Sequence, residues 1–171
     1  FYGDKKIIED NYDSGMRYFT CLKTRVNEDG FLNHGLGDWG NPEKSLVREN
    51  VETVFLYADA KILAYFAEIL KKPEDVSGLR AYAEQIRENY NKKLLVYHEE
   101  KGFWCYRAWD HPDEIFMTQA SQAMPLYWGL VPEEREADIV KAFQYTLEEK
   151  GAFISGEVGM PYVIQTARRY G

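Results

Sequence analysis

Apolar residues recur every three or four positions through most of this chain. From Lys5 to Val26 they fall at Ile8, Tyr12, Met16, Phe19, Leu22 and Val26, one stripe of a helix. From Leu46 to Leu70 they cover more of the circumference, with Val54, Tyr57, Ala58, Ile62, Tyr65, Phe66 and Ile69, so this second helix is expected to be buried on more than one side. After "KKPED", Pro73 to Leu95 repeats the one-sided pattern through Leu79, Tyr82, Ala83, Ile86 and Tyr90. Val96 to Trp109 breaks the period: aromatic and β-branched residues flank a Lys-Gly turn, which fits a short hairpin or an irregular loop. Helical spacing returns at Ile115 to Leu130, with a kink or restart expected at Pro125. Two further helices follow, at Pro132 to Lys150, opened by proline and acids, and at Met160 to Tyr170, stopped by Gly171.

Six helices therefore alternate with two kinds of connection. "KKPED" and "VPEE" are short and polar, whereas the others are long and rich in glycine and aromatic residues. A layered array of helical hairpins places short turns on one rim and long loops on the other, where functional residues tend to collect. The chain has no strong internal repeat, which argues against a solenoid of tetratricopeptide type.

Composition narrows the function. The 171 residues, 45% hydrophobic and 15% aromatic, suffice for one domain with a sizeable core. A net charge of −7 without a basic block excludes a phosphate-binding surface, so nucleic acid is not expected as a partner. No apolar run reaches the roughly 20 residues that cross a bilayer. Cys21 and Cys105 match no metal spacing and read as buried thiols; His98 and His111 read as surface residues. No metal site and no cofactor are expected. Phe1 opens the chain and no signal peptide follows it, so the sequence reads as a piece of a longer protein with any targeting signal elsewhere.

The candidate chemistry sits in two loops. In "HGLGDWGNP", His34 to Pro42, Asp38 and Trp39 place an acid beside a flat ring, which suits a sugar: the carboxylate accepts from hydroxyls and the indole stacks on C–H faces. The alternative is structural, with Asp38 closing a turn and Trp39 filling the core. A helix cap is less suited to Asp38, because Ser45 lies nearer the next helix. Glu157 in "SGEVG" is a lone acid in an apolar loop, either a ligand-facing carboxylate or a solvated one. His34 is either a base or ligand contact, or a satisfied loop histidine. Gln119 and Gln122 share a helix face, as buried amides at a polar pocket or as exposed side chains.

The three segments "HGLGDWGNP", "TQASQAMPLYWGLVPEE" and "SGEVGMPYVIQTARRYG", in this order and spacing, resemble the catalytic domain of bacterial α-L-rhamnosidases, glycoside hydrolase family 78, over most of the chain. The resemblance implies an all-α fold: part of an (α/α)6 toroid of the six-hairpin glycosidase type, with a sugar pocket at one rim. It implies that residues 1–171 form a partial catalytic domain and that Asp38 and Trp39 help line a rhamnose pocket, with Glu157 and His34 as further candidates. It also implies inverting hydrolysis of terminal α-L-rhamnose from glycosides or polysaccharides. The family's general acid belongs to an Asp-Glu-Arg-x-Gly-Trp-like segment upstream, and its general base to a Trp-Glu-Arg-Trp-like segment downstream. This sequence contains neither, so both catalytic carboxylates are expected outside it and the chain alone is expected to be inactive. A non-catalytic helical module binding sugar or protein, and a piece of another (α/α)6 glycosidase such as an α-L-fucosidase, remain the alternatives. Half a toroid should leave helix faces open for self-association or a partner. By resemblance, a periplasmic or secreted setting is favoured for the parent.

Overall fold

The computed structural model describes residues 3–43 and 45–170; the expected stop at Gly171 lies outside them. Six helices are present: α1 (Lys6–Lys23), α2 (Arg48–Ile69), α3 (Pro73–Leu94), α4 (Gln119–Trp128), α5 (Glu136–Lys150) and α6 (Met160–Tyr170). Between α3 and α4 the aperiodic stretch forms an antiparallel hairpin, β1 (Leu95–His98) with β2 (Phe103–Tyr106), in a register that pairs Leu95 with Tyr106 and His98 with Phe103.

α2, α4 and α6 pack on one another, and α1, α3 and α5 lie outside them, α3 chiefly on α2 and α5 on α4. Each inner helix is thus entered through a long connection, and α2 and α4 are left through short turns. α2 contributes the largest number of buried residues, eleven, including Val51, Val54, Leu56, Tyr57 and Leu63, in keeping with its wide apolar coverage. The three long connections bond to one another: Ser45 Oγ lies 2.6 Å from both carboxylate oxygens of Asp110, and Asp38 accepts from Ser155, Gly156 and Gly159. They therefore share one rim.

Several local expectations change. α4 starts at Gln119 rather than near Ile115, because Thr118 and Ser121 form a reciprocal capping box there. It runs through Pro125 without restarting and ends at Gly129, whose left-handed backbone closes it. Ser45 does not cap α2. That helix starts at Arg48, while Ser45 Oγ accepts from the Val47 amide at 2.9 Å and holds the turn before it. Cys105 is buried, and burial pushes its thiol up to about 12, but Cys21 is exposed because its position falls on the outer face of α1.

Some apolar side chains of the helices are exposed. Ile7, Tyr18 and Tyr65 are exposed on the α1–α2 side and Ile164 on α6, and a groove of about 650 Å³ runs between Ile7, Tyr12, Tyr18 and Phe66.

Asp59, midway along α2, is half-buried near Tyr162 of α6, and burial pushes its carboxyl up from 3.8 to about 6. The folded chain holds this proton more tightly than the unfolded chain. The resulting stability is complete below about pH 3.8 and is lost as pH rises through about 6. After solvent screening of a partly exposed group, the loss is about 1–2 kcal/mol. Asp59→Asn is expected to raise the melting temperature at pH 7.5 by a few degrees and to change it little at pH 4.5, as followed by circular dichroism. An equal shift at both pH values would show that Asp59 ionisation is not the cause.

Candidate functional site

The shared rim is built by buried polar side chains near the starts of the inner helices, each bonded to the backbone of a loop. Near the start of α2, Asn50 donates to the Arg107 carbonyl at 3.0 Å and accepts from the Trp109 amide at 2.9 Å. One turn on, Thr53 accepts from the Leu32 amide at 3.0 Å. Gln119, the first residue of α4, donates to the Ala152 carbonyl at 2.8 Å and accepts from the Ile154 amide at 3.0 Å. Gln122 does the same for Tyr106, accepting from its amide at 2.9 Å and donating to its carbonyl at 2.6 Å. The open question about the two glutamines is thereby answered. Both are buried, and they dock backbone rather than line a polar pocket.

Asp38 corrects the expectation of a sugar contact. Its side chain is wholly buried, with 0% exposure, and both oxygens are occupied. Oδ1 accepts from the Gly159 amide at 2.7 Å; Oδ2 accepts from the Gly156 amide, the Ser155 hydroxyl and the Asn41 side-chain amide, each at 2.8 Å. A carboxylate so surrounded has no free face for a ligand, and it cannot pair across solvent with Glu157. The tight bending of "HGLGDWGNP" carries Asp38 inward to a second loop.

Trp39 turns the other way. It is 51% exposed, so it does not fill the core as the structural alternative required. Its carbonyl accepts from the Glu157 amide at 2.7 Å, and Gly40 lies against the Glu157 side chain. Glu157 is itself exposed, so the structure joins two exposed residues, an aromatic and an acid, through their backbones at the rim. His34 is also exposed, earlier on the same loop, with Nδ1 3.5 Å from an Arg25 guanidinium nitrogen. Among the described residues no hydrogen bond links it to Trp39 or Glu157.

Two neighbouring carboxylates escaped the sequence reading. Glu52, half-buried in the first turns of α2, accepts from the Gly37 amide at 2.9 Å, and Gly35 lies directly over its carboxylate. Glu43 lies two residues after Asn41, whose side-chain Oδ1 accepts from the Glu43 amide at 2.9 Å. Burial raises the Glu43 carboxyl, an effect partly offset by the Lys150 ammonium at 3.3 Å. Glu52 sits in an amphipathic stretch where a helix-surface acid is ordinary, so the only available sign was the glycine pair opposite it. No group of three or more His, Cys, Asp or Glu among the described residues is arranged to hold a metal ion.

Gly156 is a close approach: a Cβ there would overlap the carbonyl oxygens of Trp39 and Asp38. Because those are backbone atoms, they cannot swing aside. Gly156→Ala is expected to cost about 2–3 kcal/mol, read as a lowered urea midpoint with an unchanged slope. A loss below about 0.5 kcal/mol would mean that the two loops separate freely.

Inner helices paired with outer ones, with the long loops gathered on one rim, define this protein as a six-hairpin glycosidase domain. The chain belongs to the bacterial alpha-L-rhamnosidase 6 hairpin glycosidase domain family, whose model matches residues 1–171. It is 25% identical over 183 residues to an alpha-L-rhamnosidase of Formosa agariphila, an alignment covering all of this chain and 18% of the relative. Its fold is similar to that of an alpha-L-rhamnosidase from Dictyoglumus thermophilum, with a TM-score of 0.84 and 27% identity over 100% of this chain and 19% of that one. It is similar in fold also to the Streptomyces avermitilis alpha-L-rhamnosidase solved in complex with L-rhamnose. There the TM-score is 0.78 and the identity 20%, over 99% of this chain and 15% of the other. The chain spans less than a fifth of the length of each of these relatives.

Proposed function

We propose that this chain forms part of the sugar pocket of a glycoside hydrolase that removes terminal α-L-rhamnose by inverting hydrolysis, with both catalytic carboxylates outside residues 1–171. The observation that carries this reading is that Trp39 and Glu157, both exposed, are tied together by a backbone hydrogen bond on the long-loop rim. Family membership supports the reaction class. Trp39 offers a flat apolar face for sugar C–H groups, and Glu157 offers acceptors for hydroxyls; His34, exposed earlier on the same loop as Trp39, is a further candidate contact. In an inverting glycosidase one carboxylic acid protonates the leaving oxygen while a carboxylate about 6.5–9.5 Å away activates water. Asp38 is unsuited to either role because it is buried and fully bonded.

The test is hydrolysis of an aryl α-L-rhamnoside, followed by proton NMR. The full-length protein carrying this segment is expected to release β-L-rhamnose first, and the 171-residue chain alone is expected to release none. Turnover by the chain alone would overturn the placement of the catalytic groups. Absence of turnover by the full-length protein, with sugar binding retained, would favour the binding-module alternative.

A further inference from the structure

We propose that Asp38 is a positioning residue of the pocket rim: its buried charge holds Trp39 and Glu157 side by side without itself touching a ligand. The inference rests on the pocket reading above and adds to it the device that aligns the pocket wall. Asp38 directly precedes Trp39, and Gly156 directly precedes Glu157. The Gly156 amide donates to Asp38 Oδ2, and the Glu157 amide donates to the Trp39 carbonyl, so the two dipeptides lie face to face. A third backbone donor, Gly159, meets Oδ1 immediately before α6 begins, and it fixes the far end of the loop to the same carboxylate. The loop cannot slide by one residue without breaking all three contacts together.

The charge matters beyond the shape. An ionised carboxylate is an acceptor at both oxygens, and here the two sides accept four donors, two of them backbone amides that cannot rotate. An asparagine has the same size but must turn its own NH2 toward one side, against Gly159 or against the Gly156 cluster. The approach is also close on both sides: a Cβ on Gly159 would sit 2.7 Å from both Oδ1 and the Ala120 methyl. Asp38→Asn therefore removes the clamp without opening a cavity.

The experiment records amide spectra of the 15N-labelled 171-residue chain and measures L-rhamnose affinity by calorimetry on the full-length protein, for wild type, Asp38→Asn and Ser155→Ala, at a temperature where each is folded. In Asp38→Asn the Gly156, Gly159 and Glu157 amide signals and the Trp39 indole signal are expected to move, the Gly156 and Gly159 amides to exchange at least tenfold faster, and L-rhamnose affinity to fall about tenfold. Ser155→Ala loses one neutral donor and should move the same signals in the same direction by less. A folded Asp38→Asn with unchanged Trp39 and Glu157 signals and unchanged affinity overturns the proposal. If Asp38→Asn does not fold, Ser155→Ala decides: perturbation reaching Trp39 supports the clamp, and perturbation confined to residues around 155 overturns it. A full-length wild-type protein that does not bind L-rhamnose would count against the pocket reading, while the amide signals would still judge the clamp.

Discussion

Asp38→Ala is expected to lower the stability of this chain by about 4 kcal/mol, a large share of the roughly 5–15 kcal/mol that holds a domain together. The substitution strands four donors at a site with no access to water. The Ser155 hydroxyl and the Asn41 amide can turn toward new partners. The Gly156 and Gly159 amides cannot, and each buried unsatisfied group costs about 1–3 kcal/mol. Relief of the buried carboxylate's own desolvation offsets part of this, which keeps the total near the cost of breaking a buried charged contact. Urea unfolding is the measurement. A loss under about 1 kcal/mol would show that the carboxylate contributes little beyond compensating its own burial.

The neighbouring residue should behave in the opposite way. In the full-length protein, Trp39→Ala is expected to reduce kcat/KM for an aryl α-L-rhamnoside about 30- to 100-fold, equivalent to about 2–3 kcal/mol for a contact made by a large aromatic ring. Because half of the ring already faces solvent, stability should change by no more than about 0.5 kcal/mol. Trp39→Phe keeps a flat face and should recover part of the loss. An activity within twofold of wild type would remove Trp39 from the pocket. Together the two variants separate a residue that builds the rim from one that works at it, although they are adjacent in the chain.

That separation was not legible in "HGLGDWGNP". Its glycines announced a close bend, and its acid and indole announced either ligand contact or a structural role. A loop has no period, however, so nothing in the sequence orients one side chain relative to the next. Apart from Asn41, the partners of Asp38 lie 117 to 121 residues away, as a hydroxyl and two backbone amides. Backbone donors leave no trace in side-chain identity, so a buried and an open aspartate read alike. The same holds for Gln119 and Gln122: two amides three apart on a helix are compatible with water or with the core, and only the docking of residues 152–154 and of Tyr106 decided for the core.

The helices were legible because their signal repeats. The stripe from Ile8 to Val26 and the broad coverage of α2 each sum many small burial preferences, which tolerate local exceptions and err only near the ends, as at Thr118. The alternation of short polar turns with long glycine-aromatic loops was equally plain, and with it the expectation of one functional rim; the order of three motifs pointed to the rhamnosidase fold. By itself, then, the sequence determined the helices, their hairpin order and the loops that matter. Tertiary structure alone decided which rim side chains face inward and which face solvent. Burial and hydrogen bonding across more than a hundred residues are properties of the packed chain, which no short window of residues contains.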